Sequence, residues 1–351
     1  MLERQPRNKT DFQPLDWRRS DRDDIMARIA AAGLIGMGGA GFPVVAKLRS
    51  GIQYAASTII ANGVECEPGV NADRALLRHY LPDVLEGLRI AGACLAKPAL
   101  ILAVSDQSIY QAFVDKGELG ITCRLVADAP SNGEERTLIG SLFSDEIPTT
   151  RYPSQCGYIV FNVATLFAIC EAVRDGSRPR DRLVTLFGEE TWVELDTKLG
   201  DIGQTGATLR LGSTATGRMA SNDDVVSLTT NAVEHGIDDQ QRACIHCGWC
   251  DAVCPRHLPV EAMLRQIQSA TRPITLSSEV NACFECGACV VQCPSAIPLL
   301  DLLRSAKREV ENERRKQVAD LRFQQHTVRA AETIKQESIT RSTRIETRRQ
   351  W

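Results

Sequence analysis

The spacing of apolar positions changes character several times along the chain. Helical runs predict α-helices over Asp24–Gly33 and Leu81–Ala96. Short β-branched and aromatic runs predict strands over Ser57–Ala61, Ala99–Val104 and Tyr158–Phe161. Helices and strands alternating between residues 23 and 188 are the mark of an α/β domain. Residues 189–241 lose the helical pattern and turn rich in Thr, Gly and Val, which predicts a small β module. Residues 242–302 hold a cysteine repeat. Residues 303–351, dense in Arg, Lys, Glu and Gln, predict a charged helical tail with few apolar anchors. The polar stretch 1–22 reads as a poorly ordered leader.

Composition narrows the class. With 351 residues, 43% hydrophobic and 24% charged, the chain has room for two or three globular domains. The net charge of −3 is unevenly spread, since 13 Lys and Arg face 7 Asp and Glu from Arg304 onward. Such a basic end suits an acidic partner or an anionic surface, or a solvated helix. The first 24 residues contain no apolar core, so no secretory signal is expected. The most apolar stretch, Leu88–Val104, is broken by Arg89, Lys97 and Pro98, short of the ~20 apolar residues that a span needs. The expected location is cytoplasmic, or peripheral on the cytoplasmic face of the inner membrane through partners. There, 13 cysteines point to metal instead of disulfides.

Eight of them form a repeat. Cys244, Cys247, Cys250 and Cys254-Pro255 are echoed by Cys283, Cys286, Cys289 and Cys293-Pro294, both as C-x2-C-x2-C-x3-C-P. This spacing serves two [4Fe–4S] clusters. Three thiolates on a tight loop reach three irons of a cubane, and the fourth, leaving on a helix, reaches the neighbouring cluster. The expected ligands are Cys244, Cys247, Cys250 and Cys293 for the first cluster, and Cys283, Cys286, Cys289 and Cys254 for the second. Zinc knuckles would leave four of these cysteines unexplained. Gly248 and Gly287 let the backbone approach a cluster, while His246 and Trp249 shield it from water.

A second constellation lies near the start. Gly36-Met37-Gly38-Gly39-Ala40-Gly41 contains G-x-G-x-x-G, but a helical run precedes it where a dinucleotide fold needs a strand. Its N–H groups can still cradle phosphate, with Lys47 adding charge. Asn62-Gly-Val-Glu65-Cys66-Glu67 follows a strand, and its carboxylates suit ribose hydroxyls or a flavin edge, or else form a solvated acidic turn. Glu134 and Glu135 read equally as a site loop or as a helix N-terminus.

Together GMGGAGFPVVAKL, ANGVECEPGVNADR, NGEERTLIGSL, FNVATL and the cysteine runs resemble the C subunit of Rnf-type electron transport complexes over roughly residues 24–310. The first half is more remotely similar to the flavin-bearing, NADH-oxidising subunit of respiratory complex I. The resemblance implies an FMN- and NAD(H)-binding α/β domain, a β-grasp module of the soluble-ligand-binding type and a ferredoxin-type dicluster domain. It places Gly36, Gly38, Gly39, Gly41 and Lys47 at the FMN and NADH phosphates. Asn62, Glu65 and Glu67 would hold flavin or nicotinamide ribose, and Glu134, Glu135, Asn162 and Thr165 would complete the pocket. It implies an electron-transfer partner, either membrane-bound subunits or a ferredoxin, and no nucleic acid. The family's long members begin with a barrel-sandwich domain for which residues 1–22 leave no room.

Two other readings accompany it. Short relatives include cobalamin reductases of microcompartments, and a chain with a vestigial flavin cleft would only wire electrons. Cys94 and Cys170 read as core residues, with Cys123, Cys156 and Cys66 given no reactive role. His79, His235, His257 and His326 form no acid–base constellation.

Overall fold

The computed structural model describes residues 4, 10–67, 69–148, 151–203, 208–236, 241–269 and 279–349. Two helices come first, α1 (Arg22–Ala31) and α2 (Val44–Gln53), followed by β1 (Thr58–Gly63), α3 (Ala72–Ala93), β2 (Ala99–Val104), α4 (Gln107–Lys116), β3 (Thr122–Leu125), α5 (Glu135–Phe143), β4 (Tyr158–Asn162) and α6 (Val163–Val173). The strands form one parallel sheet in the order β3-β2-β1-β4. All six residues of β1, TIIANG, are buried, as a strand covered on both faces requires. The chain steps outward from β1 through β2 to β3, then returns to place β4 on the other side of β1. The carboxyl ends of β1 and β4 therefore border a switch point, where open α/β sheets leave a crevice.

The expected helix Leu81–Ala96 is the second half of the longer α3. Pro82 lies inside it and Tyr80 leaves helical geometry at φ −130°, a kink caused by a residue that cannot donate to the preceding turn. That kink hides the first two turns from a sequence reading.

The β module begins earlier than residue 189. β5 (Asp181–Leu186) pairs antiparallel with β6 (Glu189–Glu194), and Phe187 and Gly188, at φ +52° and +90°, form the two-residue turn between them. The expected boundary thus falls on a hairpin turn, where positive φ at both central residues matches the twist of the paired strands. A short α7 (Leu199–Ile202), β7 (Leu209–Leu211), β8 (Arg218–Ala220) and β9 (Ala232–His235) complete a five-stranded sheet, β6-β5-β9-β7-β8, in which β5 and β9 are parallel. This is the expected β-grasp module, with Val184, Val193, Leu209, Val226 and Val233 in its own core.

The cysteine repeats carry α8 (Trp249–Ala252), α9 (Val260–Gln268), α10 (Glu279–Ala282) and α11 (Ala288–Val291). The last helix, α12, runs from Leu299 to Arg349. It is not a tail added to the dicluster domain, because Leu299, Leu303 and Ala306 pack with Leu258, Met263, Leu264 and Val280 in that domain's core.

The leader also departs from expectation in its described part. Phe12 donates to Gly176 O at 2.9 Å, Leu15 to Val173 O at 2.9 Å, and the Trp17 indole to Glu86 at 3.0 Å. Arg4 lies over the Trp192 ring at 4.1 Å and pairs with Glu171 and Asp181. Phe12, Leu15 and Trp17 tie this stretch to the end of α6 and to α3, and Arg4 reaches the β module.

Candidate functional site

The glycine-rich loop joins α1 to α2 and crosses the carboxyl end of β4. Its base is closed by the Gly36 N–H donating to Phe42 O at 2.7 Å and by an isolated bridge between Ile35 and Pro43. Inside, the Met37 N–H donates to Thr165 Oγ at 2.9 Å. A Cβ at Gly38 would lie 3.2 Å from Asn162 Cβ, so the backbone passes close over the end of the strand. Gly39 and Gly41 take φ of +100° and +64°, conformations open to glycine at little cost.

Behind the loop stands a set of acids. Glu65 accepts from the Asp73 and Arg74 N–H groups at 2.7 and 3.2 Å, at the free amino end of α3. Asn162 caps α6 by accepting from Ala164 N at 2.8 Å, and its amide donates to Asp73. Loss of hydration pushes Asp73 up to about 6, against the pull of Arg182 and Asn162. Desolvation, and then the Asp73 charge, raise Glu65 well above the ordinary range.

A carboxyl with a raised pKa in the folded chain stabilises it below its ordinary value near 3.8, and that contribution is lost as pH rises through about 6. Asp73→Asn is therefore expected to flatten the fall in the metal-free chain's stability between about pH 4 and pH 6. Urea midpoints taken on either side of that window check it; an unchanged pH dependence would refute the shift.

The remaining expected residues are also engaged within the chain. Lys47 pairs with Glu135 and lies 5.7 Å from the Phe161 ring centroid. Asn62 donates to Gly133 O at 2.8 Å. Glu134 caps α5 through the Thr137 N–H at 2.8 Å, the helix-end role that the sequence left open. Glu67 is bound to the β-grasp turn, by Thr216 Oγ and by Ser213 N at 3.3 Å.

Arg182 was not expected. It is 2% exposed, on β5, and donates to the carbonyls of Leu228 and Met37 and to the Asn231 amide oxygen. Its Nε has no partner among the described residues. Burial lowers its pKa to about 10, while Asp73 and Glu65 hold the charge on. This guanidinium fastens the glycine loop to the β module. The available signal was an arginine inside the strand-like run DRLVTL.

The two cysteine runs adopt one backbone, offset by 39 positions from Cys244 to Cys283. His246 and Glu285 take φ of +55° and +64°, Gly248 and Gly287 +71° and +73°, His257 and Ala296 +51° and +49°. Positive φ at His246 and Glu285 costs about 1 kcal/mol or more each. In return their N–H groups meet the sulfurs of Cys244 and Cys283, both at 3.4 Å. Cys244, Cys247, Cys250 and Cys293 line one cavity with Leu264, Ile297 and Leu299. Burial pushes the Cys289 thiol of the second run up to about 12, with the Cys283, Cys286, Cys254 and Cys250 sulfurs adding to the rise. A four-plus-four set of thiols with N–H groups aimed at sulfur suits two four-iron clusters, and the glycine cradle suits a phosphate-bearing flavin. Cys244, His246 and Glu261 also place three donor atoms within 4.8 Å, but the cysteine belongs to the first run.

Three modules meet between these two sites. Arg256, two residues after Cys254, reaches Glu134 at 3.4 Å and Thr137 at 3.3 Å, and lies over the Phe284 ring at 5.6 Å. Arg304 of α12 donates to Thr216 O at 3.1 Å and to Glu285 at 2.9 Å, so Thr216 bonds Glu67 directly and the second run through Arg304.

Comparison with known proteins follows the same division. Residues 29–171 match the Nuo51 FMN-binding domain, and residues 243–298 match a 4Fe-4S dicluster domain. The C subunit of the ion-translocating oxidoreductase complex of Erwinia tasmaniensis is 30% identical over 267 residues, covering 69% of this chain and 33% of that protein. Over this span the chain is similar to that C subunit. The corresponding protein of Edwardsiella ictaluri is 30% identical with the same coverage, and that of Serratia proteamaculans 29% identical over 69% of this chain and 38% of its own. The chain thus spans about a third of the length of the first two of these curated relatives. An NAD+-reducing [NiFe]-hydrogenase structure shares the fold at 21% identity and a TM-score of 0.58, covering 86% of this chain and 65% of that one. Among the described residues no helix is long and apolar enough to cross a membrane.

Proposed function

We propose that the chain is an electron-transfer oxidoreductase subunit linking NAD(H), FMN and two [4Fe–4S] clusters to a partner protein. The observation that supports this reading is the joint at Arg256 and Arg304, which ties the dicluster domain to Glu134 and Thr137 of the α/β domain and to the Thr216 turn that holds Glu67. FMN would accept two electrons together from NADH and release them singly to one-electron clusters.

The chain's own residues do the rest. Gly38, Gly39 and Gly41 would present backbone to a phosphate, Gly36 closes the base of the loop through its bond to Phe42 O, and Arg182 holds the Met37 carbonyl so that the loop keeps its shape. Lys47, paired with Glu135, would add positive charge where a phosphate displaces that carboxylate. Asn162 and Thr165 fix the loop on the end of β4, while Asn62, Glu65, Glu67, Glu134 and Glu135 shape the surrounding walls through their internal bonds. The eight cysteines anchor the clusters in the exchanged arrangement, each run lending its last thiolate to the other. The partner would be a membrane-bound complex or a soluble carrier, and electrons can run in either direction.

Anaerobic titration of reconstituted protein with NADH, followed by absorbance and EPR, tests this. Bleaching of flavin absorbance with the appearance of reduced-cluster signals is expected. Bound flavin that NADH cannot reduce would sink the NAD(H) part, and protein that takes up no flavin would leave only a wire.

A further inference from the structure

The leader and the segment that joins the α/β domain to the β-grasp module lie side by side, running in opposite directions. Leu15 donates to Val173 O, and Asp11 and Phe12 both donate to Gly176 O, all at 2.9 Å. The Asp11 carboxylate accepts from the Arg178 N–H at 2.8 Å and from the Arg180 guanidinium at 2.7 Å. A Cβ on Gly176, at φ +69°, would lie 2.1 Å from Phe12 O, so the two backbones touch. The connection between α6 and β5 is thus splinted along its length.

The splint ends in a pin. Arg4 makes a two-pronged pair with each of two acids, donating to Glu171 at 2.5 and 3.1 Å and to Asp181 at 2.6 and 3.0 Å. Its guanidinium lies 4.1 Å from the Trp192 ring centroid and 5.2 Å from that of Phe167. Each domain supplies one acid and one ring: Glu171 and Phe167 stand on α6, Asp181 and Trp192 on β5 and β6. One Arg4 nitrogen bonds both carboxylates, so the acids are close enough to repel each other without a cation between them. Their side chains are only 10% and 12% exposed, which leaves little water to take its place. Two forks and a flat face suit a guanidinium better than an ammonium.

The pinned strand also holds the glycine loop. Arg182 follows Asp181 on β5 and donates to the Met37 carbonyl. Met37, Glu171, Asp181, Arg182 and Trp192 line one cavity of about 20 Å³, the room of a single water, so there is little slack between box and loop. A close-packed joint passes displacement on instead of absorbing it.

We propose that Arg4 is a positioning residue for the glycine loop. It fixes Asp181 against α6, Asp181 fixes β5, and β5 fixes the loop through Arg182. The identity of the loop's ligand rests on the flavin reading above; the coupling does not.

The experiment uses the full chain with both clusters reconstituted, as wild type, Arg4→Ala and Arg4→Lys. Hydrogen exchange is followed at residues 35–43 and 181–194 before any flavin is added, and FMN affinity is then measured by quenching of flavin fluorescence. Arg4→Ala should speed exchange in both segments, leave β2 unchanged and weaken FMN binding ~10-fold, an ordinary size for coupling between sites. Arg4→Lys, which keeps the charge but loses the fork, should fall in between. Millimolar methylguanidinium should restore slow exchange to Arg4→Ala, whereas methylammonium should not. Unchanged exchange at residues 35–43 in Arg4→Ala would overturn the proposal, even with 181–194 loosened. So would equal rescue by both cations or by neither, because the box would then not be reading a guanidinium. If the loop responds but the wild-type chain takes up no FMN, the flavin reading falls and the positioning role stands.

Discussion

Cys254→Ser is expected to cost the chain the cluster of its second run, although Cys254 closes the first. In reconstituted protein, iron should fall from about eight to about four atoms per chain. The surviving EPR signal should be that of the site bounded by Cys244, Cys247, Cys250 and Cys293. The physical reason is the direction in which each run ends. After Cys250 the chain makes the single turn of α8, which carries Cys254 off the loop and toward Cys286 and Cys289. The copy does the same, and Cys293 joins the cavity of the first three cysteines. A serine oxygen holds iron less well than a thiolate, so the loss should appear at the site where the sulfur is a ligand. Selective loss of the first cluster would refute the exchange.

The second large effect separates two glycines that the sequence cannot tell apart. Gly287→Ala should dislodge the β-grasp turn from the dicluster domain, while Gly248→Ala should not. Both residues take φ near +70°, so each alanine costs about 1 kcal/mol in backbone conformation. Only at Gly287 does the new methyl meet a backbone atom, 2.1 Å from Ala215 O, where no side-chain rotation relieves it. Ala215 is itself 2% exposed and held by neighbours. The Ser213–Thr216 turn would have to retreat, releasing Thr216 from Arg304 and from Glu67. A further 1–3 kcal/mol is the usual scale of such overpacking. Hydrogen exchange at residues 213–217 measures it: faster exchange in Gly287→Ala alone is expected. Equal protection in the two variants would mean that the turn is not seated on the second run.

Local patterns were readable without coordinates because their causes are local. The cysteine spacing is set by the size of a cubane and the reach of a short loop, so eight thiols declare their chemistry in one dimension. β1, β2 and β4 are short β-branched and apolar runs of strand length, and each falls within two residues of its expected bounds. The glycine loop was visible as a cradle, and its failure to follow a strand rightly set it apart from the usual dinucleotide fold.

What failed locally did so for identifiable reasons. The boundary expected at 188–189, set where the helical pattern is lost, splits the hairpin that begins the β module, because β5 belongs with its partner β6 and not with the helices before it. Pro82 masked the start of α3 because a proline reads as a helix start even where it only kinks one. The anchors of the leader, Phe12, Leu15 and Trp17, are too few to show periodicity, and their partners lie more than 60 positions away.

The sequence by itself determined the cluster chemistry, the order of the modules and the type of each main element, all of which rest on contacts between near neighbours in the chain. Only the tertiary structure decided that Arg182 fastens the glycine loop, that Glu67 serves the β-grasp turn, and that Gly287 meets that turn while its counterpart Gly248 does not. Those facts depend on which distant surfaces are driven together when apolar area is buried, and a buried charge shows its purpose only once its acceptors have been folded around it.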